Sequence, residues 1–219
     1  MNQILQKAEA SVARLYDKAE LWADGIVHVV GVALAVGGAA VMLWYFAGQI
    51  SPVIYISALI YVLSLVAALS ISAIYNIWPI SPVKQFLRRF DHSMIYVLIA
   101  GTYTPFIMKM GEGAGWHLGL VWLIAFCGIA LKLTMPGRFD RLAILLYLAL
   151  GWSGVLIYDQ LLQFLPLQVV VLIAAGGIIY SLGVIFHVWE RLRFQNAIWH
   201  GFVVAGAALH YSAVFLAVH

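Results

Sequence analysis

The sequence predicts an all-α membrane protein: a seven-transmembrane helix bundle with a short N-terminal interfacial helix, its N-terminus cytoplasmic and its C-terminus outside. Three observations carry that reading. Of 219 residues, 64% are hydrophobic and only 10% charged, whereas a soluble domain carries about 25% charged residues. The apolar residues gather into runs long enough for spans of about 20 residues. The basic residues, finally, fall almost entirely in alternate loops between those runs, and so on one side.

The elements follow in order. In the segment 1–22, Ile4, Ala8, Val12, Leu15, Ala19 and Trp22 share one helical stripe, the pattern of an amphipathic helix lying in a membrane interface. Residues 23–219 form the seven-span domain, with apolar runs at 24–46, 53–76, 92–110, 116–134, 141–159, 167–189 and 197–217. Turn and charge signals separate them, among them "GQISP", "PISPVKQFLRRFD", "KLTMPGRFDR" and "WERLRFQ". Small residues inside the spans, as in "GVALAVGGAA" and "AAGGIIYSLG", allow helices to approach closely in lipid.

Orientation comes from the cations. Lys7, Arg14 and Lys18 precede the first run; Lys84, Arg88 and Arg89 lie in the second loop; Lys132, Arg138 and Arg141 in the fourth; Arg191 and Arg193 in the sixth. Only Lys109 lies on the other side. The positive-inside rule then places the N-terminus in the cytoplasm. The isoelectric point near 9.0 is therefore a topology signal, aided by anionic lipid headgroups, and gives no support to a nucleic-acid partner. The acidic residues near the N-terminus argue against a cleaved signal peptide. The single cysteine, Cys127, excludes an intrachain disulfide and reads as a small core residue.

Polar residues at membrane depth are costly and mark function by default. Ser72 and Asn76 close the second run; Asp91 and His92 open the third; Asn196 and His200 open the seventh; Glu20, Asp24 and His28 enter the first at i, i+4, i+8 spacing. All fall at the cytoplasmic end of their helices, which predicts a polar pocket in the inner-leaflet half. Simpler readings stand beside this one. Asp91 and Asn196 suit helix N-caps, Ser72 can bond its own helix, and His28 can bond Asp24 one turn back. His210, deeper in the seventh run, is expected to bond another helix, while His92, His117, His187 and His219 receive no role.

The stretches "SAIYN", "RRFDHSMIYVLIAGTYTPF" and "NAIWHGFVVAGAALHY" resemble the bacterial hemolysin III proteins. Those belong with the progestin and adiponectin receptors, seven-span proteins distantly related to alkaline ceramidases. The resemblance implies a second span ending Ser-x-x-x-His, an aspartate opening the third, and a seventh opening His-x-x-x-His. It also implies that the three histidines hold zinc and that the aspartate holds or activates its water. Ser72, Asp91 and His200 match that pattern, but Asn76 and Asn196 stand where two ligand histidines belong. An amide oxygen is a poor zinc donor, so the sequence predicts no cofactor: a metal-free network in which Asn76, Asn196 and His200 pair with Asp91.

The function expected is that of a multi-pass protein of the bacterial cytoplasmic membrane that binds or senses lipid or tunes membrane properties. Membrane lipids are the expected partners, and cytolysis enters by family label only. A zinc-dependent lipid amide hydrolase, with Asp91 as base and Ser72 beside it, is one alternative. A proton or ion pathway through Asp91, His200 and His28 is the other.

Overall fold

The computed structural model describes residues 17–135 and 139–219, apart from the side chains of Glu112 and Arg141. The amphipathic segment predicted at the N-terminus lies, up to residue 16, outside these residues; from Lys18 on, the chain belongs to the first long helix. The described residues are helical, without strands: α1 (Lys18–Phe46), α2 (Pro52–Ile77), α3 (Pro82–Met110), α4 (Gly115–Thr134), α5 (Asp140–Gly151), α6 (Tyr158–Phe164), α7 (Leu167–Val188) and α8 (Gln195–Val218). A 3-10 segment, Trp152–Ile157, joins α5 to α6, so these two make one broken pass and the described residues make seven. Six of the seven, all but α3, are long and apolar enough to cross a membrane by length and composition.

Helix starts follow local chemistry. Asp17 caps α1 in a reciprocal box with Glu20: Asp17 Oδ1 accepts the Glu20 N–H at 2.9 Å, and Glu20 Oε2 accepts the Asp17 N–H at 2.8 Å. Both α2 and α3 open on Ser-Pro, with Ser51 and Ser81 as caps and the proline in the first turn. There the missing N–H costs nothing and the fixed φ suits a helix. The third apolar run predicts a span from 92, but α3 begins ten residues earlier. Apolarity marks the membrane, whereas Lys84, Arg88 and Arg89 are good helix formers that let the helix project beyond it. Asp91 is therefore well inside α3 rather than an N-cap. Asn196 likewise follows the cap of α8, which is Phe194 in a left-handed conformation (φ 59°). The fifth run is expected to end at 159, but helix continues to Phe164 as α6.

Successive helices pack on one another, and α1 closes the bundle against α8, while α3 also reaches α8. The main core joins α1, α2, α3, α7 and α8 around Met42, Tyr61, Val62, Ile107, Val169 and Val214. A second cluster, Tyr96, Ala100, Val121, Ala125 and Leu150, holds α4 and α5 to α3. Close approach depends on glycine: a Cβ at Gly101 would strike the Ser64 side chain, and one at Gly128 would strike the Tyr96 ring. Cys127, expected in the core, is exposed on the outer face of α4. In a membrane protein an apolar run is apolar on its lipid side too, so hydropathy alone could not orient it.

The break in the fifth pass takes backbone groups out of the regular α-helical ladder, and within a membrane span such groups must be satisfied by the protein. Tyr103 on α3 does this. Its hydroxyl donates to the Gly151 carbonyl at 2.8 Å and accepts the Gly154 N–H at 2.7 Å. Ser153 donates to the Leu150 carbonyl at 2.7 Å and lies 3.3 Å from His117 Nε2.

A buried polar centre on the first and last helices

Residues four apart on a helix share a face, so Glu20, Asp24 and His28 point together from α1 into the bundle, and all three are buried. Glu20 is the anchor. Besides its capping bond, its Oε1 accepts the Phe194 N–H at 2.8 Å, and Arg193 bridges to Asp17 at 3.1 Å. The start of α1 is thereby clamped to the loop between α7 and α8. The clamp brings His200, six residues into α8, opposite Asp24.

The contact is short: His200 Nδ1 donates to Asp24 Oδ1 at 2.6 Å. His28 Nε2 lies 3.6 Å from the other oxygen, Oδ2, too far for a hydrogen bond. The two imidazole rings face each other with centroids 4.2 Å apart. His28 Nε2 is buried without a hydrogen-bond partner. A carboxylate oxygen from Asp24 and one nitrogen from each of His28 and His200 lie within 4.8 Å of one another. Two imidazoles and a carboxylate are a donor set that suits divalent transition ions, and these three residues could hold one.

The remaining predicted site residues gather around this centre, with changed pairings. Ser72 and Asp91 come together at the centre, and Asp91 lies within electrostatic reach of His200, His28 and Arg88. Asn76, expected to donate to Asp91, does not. Its amide instead donates to the Ser72 carbonyl at 3.0 Å and approaches the Ser72 hydroxyl at 3.4 Å. A bond from Asn76 to its own helix needs no interhelical fit, and the four-residue spacing makes it easy. His200, expected to pair with Asp91, pairs with Asp24. Asn196 sits in the first turn of α8, one turn before His200. The three positions at which the resemblance places zinc, Asn76, Asn196 and His200, do not fit the ion: two offer only neutral amides, one of them turned back on its own helix. His210, expected to bond a neighbouring helix, bonds the Gly206 carbonyl of its own at 2.9 Å and packs its ring against Tyr180.

Asp24 belongs to the i, i+4, i+8 row of the sequence, but the family motif does not single it out as a site residue. The signal that points to it is the spacing itself: a carboxylate and an imidazole one turn apart on an otherwise apolar helix. At the same end of the bundle, Asp140 bridges Lys132 at 2.6 Å and Arg88 at 2.9 Å, and Tyr147 donates to the His92 carbonyl at 2.8 Å. Partial burial pushes the Asp140 carboxyl up, but the bond from Lys132 and the charges of Lys132 and Arg88 outweigh it and hold it below its ordinary value.

Comparison with known proteins agrees with the resemblance. The profile of the family described as "Haemolysin-III related" matches residues 19–211. The chain is similar to the hemolysin-3 homolog of Bacillus subtilis (strain 168), 35% identical over 90% of this chain and 93% of that protein. It is also similar to hemolysin-3 of Bacillus cereus, 32% identical over 90% of each. The monocyte to macrophage differentiation factor of Homo sapiens is 32% identical over 57% of this chain and 52% of its own length. A match across nearly all of the bundle, including every helix that builds the centre, establishes that this protein belongs to the haemolysin-III-related family.

Proposed function

We propose that this protein is a multi-pass protein of the bacterial cytoplasmic membrane that binds or senses lipid, or adjusts membrane state, through the polar centre of α1, α2, α3 and α8. The observation that carries the reading is the burial of Asp24, His28 and His200 beside Asp91 and Ser72 at one end of an otherwise apolar bundle. Polar groups at such depth are expensive to keep and mark a working site. An apolar groove of about 320 Å³, lined by Ala73, Ile74, Ile77, Trp78 and Pro79, runs along the end of α2 that carries Ser72 and Asn76. An acyl chain lying in it would end near the stretch of α2 that carries Ser72 and Asn76. The cation distribution supports an N-terminus on the cytoplasmic side, which sets the centre in the inner leaflet. The test is lipid retention: wild type purified in mild detergent should carry a defined lipid by mass spectrometry, and Asp91→Ala should lose it. Equal retention by both would sink the reading.

One observation favours a second reading, a metal-dependent lipid amide hydrolase. Catalytic zinc sites commonly use three protein ligands and leave one position open, and the two-histidine, one-carboxylate set supplies three donors next to Asp91. The chemistry supplied there would be activation of water for attack on an amide, with Asp91 taking the proton. Turnover of a long-chain ceramide that vanishes in Asp91→Ala would establish this reading over simple lipid binding.

A further inference from the structure

We propose that Asp24, His28 and His200 bind one divalent transition-metal ion, a centre built on the first and last helices rather than at Asn76 and Asn196. The inference takes the polar centre proposed above as the working site but does not need a lipid to be bound.

Four observations lead to it. The donors are of the right kind: imidazole nitrogen and carboxylate oxygen are the ligands that zinc and its neighbours prefer. Their spacing is nearly right as well. Bonds of about 2.1 Å in a tetrahedral site put ligand atoms about 3.4 Å apart. His28 Nε2 and Asp24 Oδ2 already stand 3.6 Å apart. His200 Nδ1 and Asp24 Oδ1, at 2.6 Å, would need to part by under about 1 Å on the same scale, or Asp24 would offer its other oxygen.

The third observation is an unmet need. The His28 side chain is only 4% exposed, and its Nε2 faces the cluster with no hydrogen-bond partner. Buried polar atoms are nearly always satisfied, and an ion between the three residues would satisfy this one. The fourth is charge. Asp24 and Asp91 bring two carboxylates to the centre, and the cations that act on them, Lys84 and Arg88, hydrogen-bond other groups. Lys84 donates to the Asn76 and Trp78 carbonyls, both at 2.9 Å, and Arg88 pairs with Asp140 at 2.9 Å. A dication would balance the two carboxylates while leaving both histidines neutral, the state in which imidazole binds metal.

The test uses the full chain in detergent, stripped with a chelator and supplied with zinc alone, ions per chain being counted by elemental mass spectrometry after dialysis. The expected result is about one zinc per chain, as a three-ligand site holds, with calcium failing to compete because hard cations want more oxygen ligands. His28→Gln should weaken binding by more than the roughly 10–100-fold that loss of an outer-shell partner costs. Asn76→Ala and Asn196→Ala should bind as wild type does. Absence of zinc from the wild type, equal binding of calcium, binding unchanged in His28→Gln, or loss in the asparagine variants but not in His28→Gln would each overturn the proposal. Should His28→Gln fail to fold, the wild-type chain decides alone: zinc must raise its melting temperature and chelator must reverse the rise. Zinc bound by a chain that retains no lipid would refute the lipid reading and leave this one standing; lipid retained without zinc would do the reverse.

Discussion

The contact between His200 and Asp24 joins residues 176 apart in the chain, and a double-mutant cycle measures it. The variants are Asp24→Ala, His200→Ala and the pair, unfolded in mixed micelles with chelator present so that metal plays no part. The two side chains are 9% and 11% exposed and 2.6 Å apart, so neither water nor salt screens them much. Interhelical hydrogen bonds in membranes average about 0.6 kcal/mol with a ceiling near 1.7. Bonds to charged groups in proteins are worth roughly 1.5–3 kcal/mol. A short, buried bond to a carboxylate belongs at the overlap, so the expected coupling is about 1.5–1.7 kcal/mol. Asp24→Ala alone should cost more, about 3–5 kcal/mol, because it strands partners that were buried against a charge. The same cycle run for His200 with Asp91 should give less than about 0.6 kcal/mol, since these two are not in direct contact. A coupling larger for Asp91 than for Asp24 would refute the assignment of the partner and restore the pairing read from the sequence.

Other outcomes follow from particular contacts. Tyr103→Phe removes bonds to both the Gly151 carbonyl and the Gly154 N–H at the break in the fifth pass, and should cost about 2–4 kcal/mol; Tyr55→Phe, which loses one bond of 3.2 Å to Leu43, should cost under about 1 kcal/mol in the same micelle titration. Gly101→Val must push Ser64 aside and should destabilise by about 1–3 kcal/mol or more, read by thermal melting. Asp140, held below its ordinary value by Lys132 and Arg88, contributes stability that is whole above its unfolded value near pH 4 and drains away as pH falls through the folded one. Melting temperature should therefore fall on acidification in the wild type, and less steeply in Asp140→Asn.

Much of this architecture is legible in the sequence. Hydropathy marks six of the passes as long and apolar enough to span, since nothing but helices can hide backbone in lipid over such lengths, and Ser-Pro pairs mark two helix starts. The depth of the site is legible too, because Ser72, Asp91, His200 and the row from Glu20 to His28 all lie at one end of their runs. The limits of α3 are less so: its charged first turns are helical but not apolar, and hydropathy sees only the second property. Cys127 shows the same limit, for a lipid-facing residue and a core residue read alike.

The class and the end of the bundle where polar groups collect follow from composition and from periods along one chain, and the family from the resemblance of its motifs. The pairing within that end does not, because it is a property of the docked bundle. Which carboxylate meets His200 depends on how α1 lies against α8, and Glu20 and Arg193 fix that docking through contacts that no local pattern announces. Asp91 and Asp24 are both within plausible reach of His200 by depth; the clamp at the start of α1 chooses Asp24.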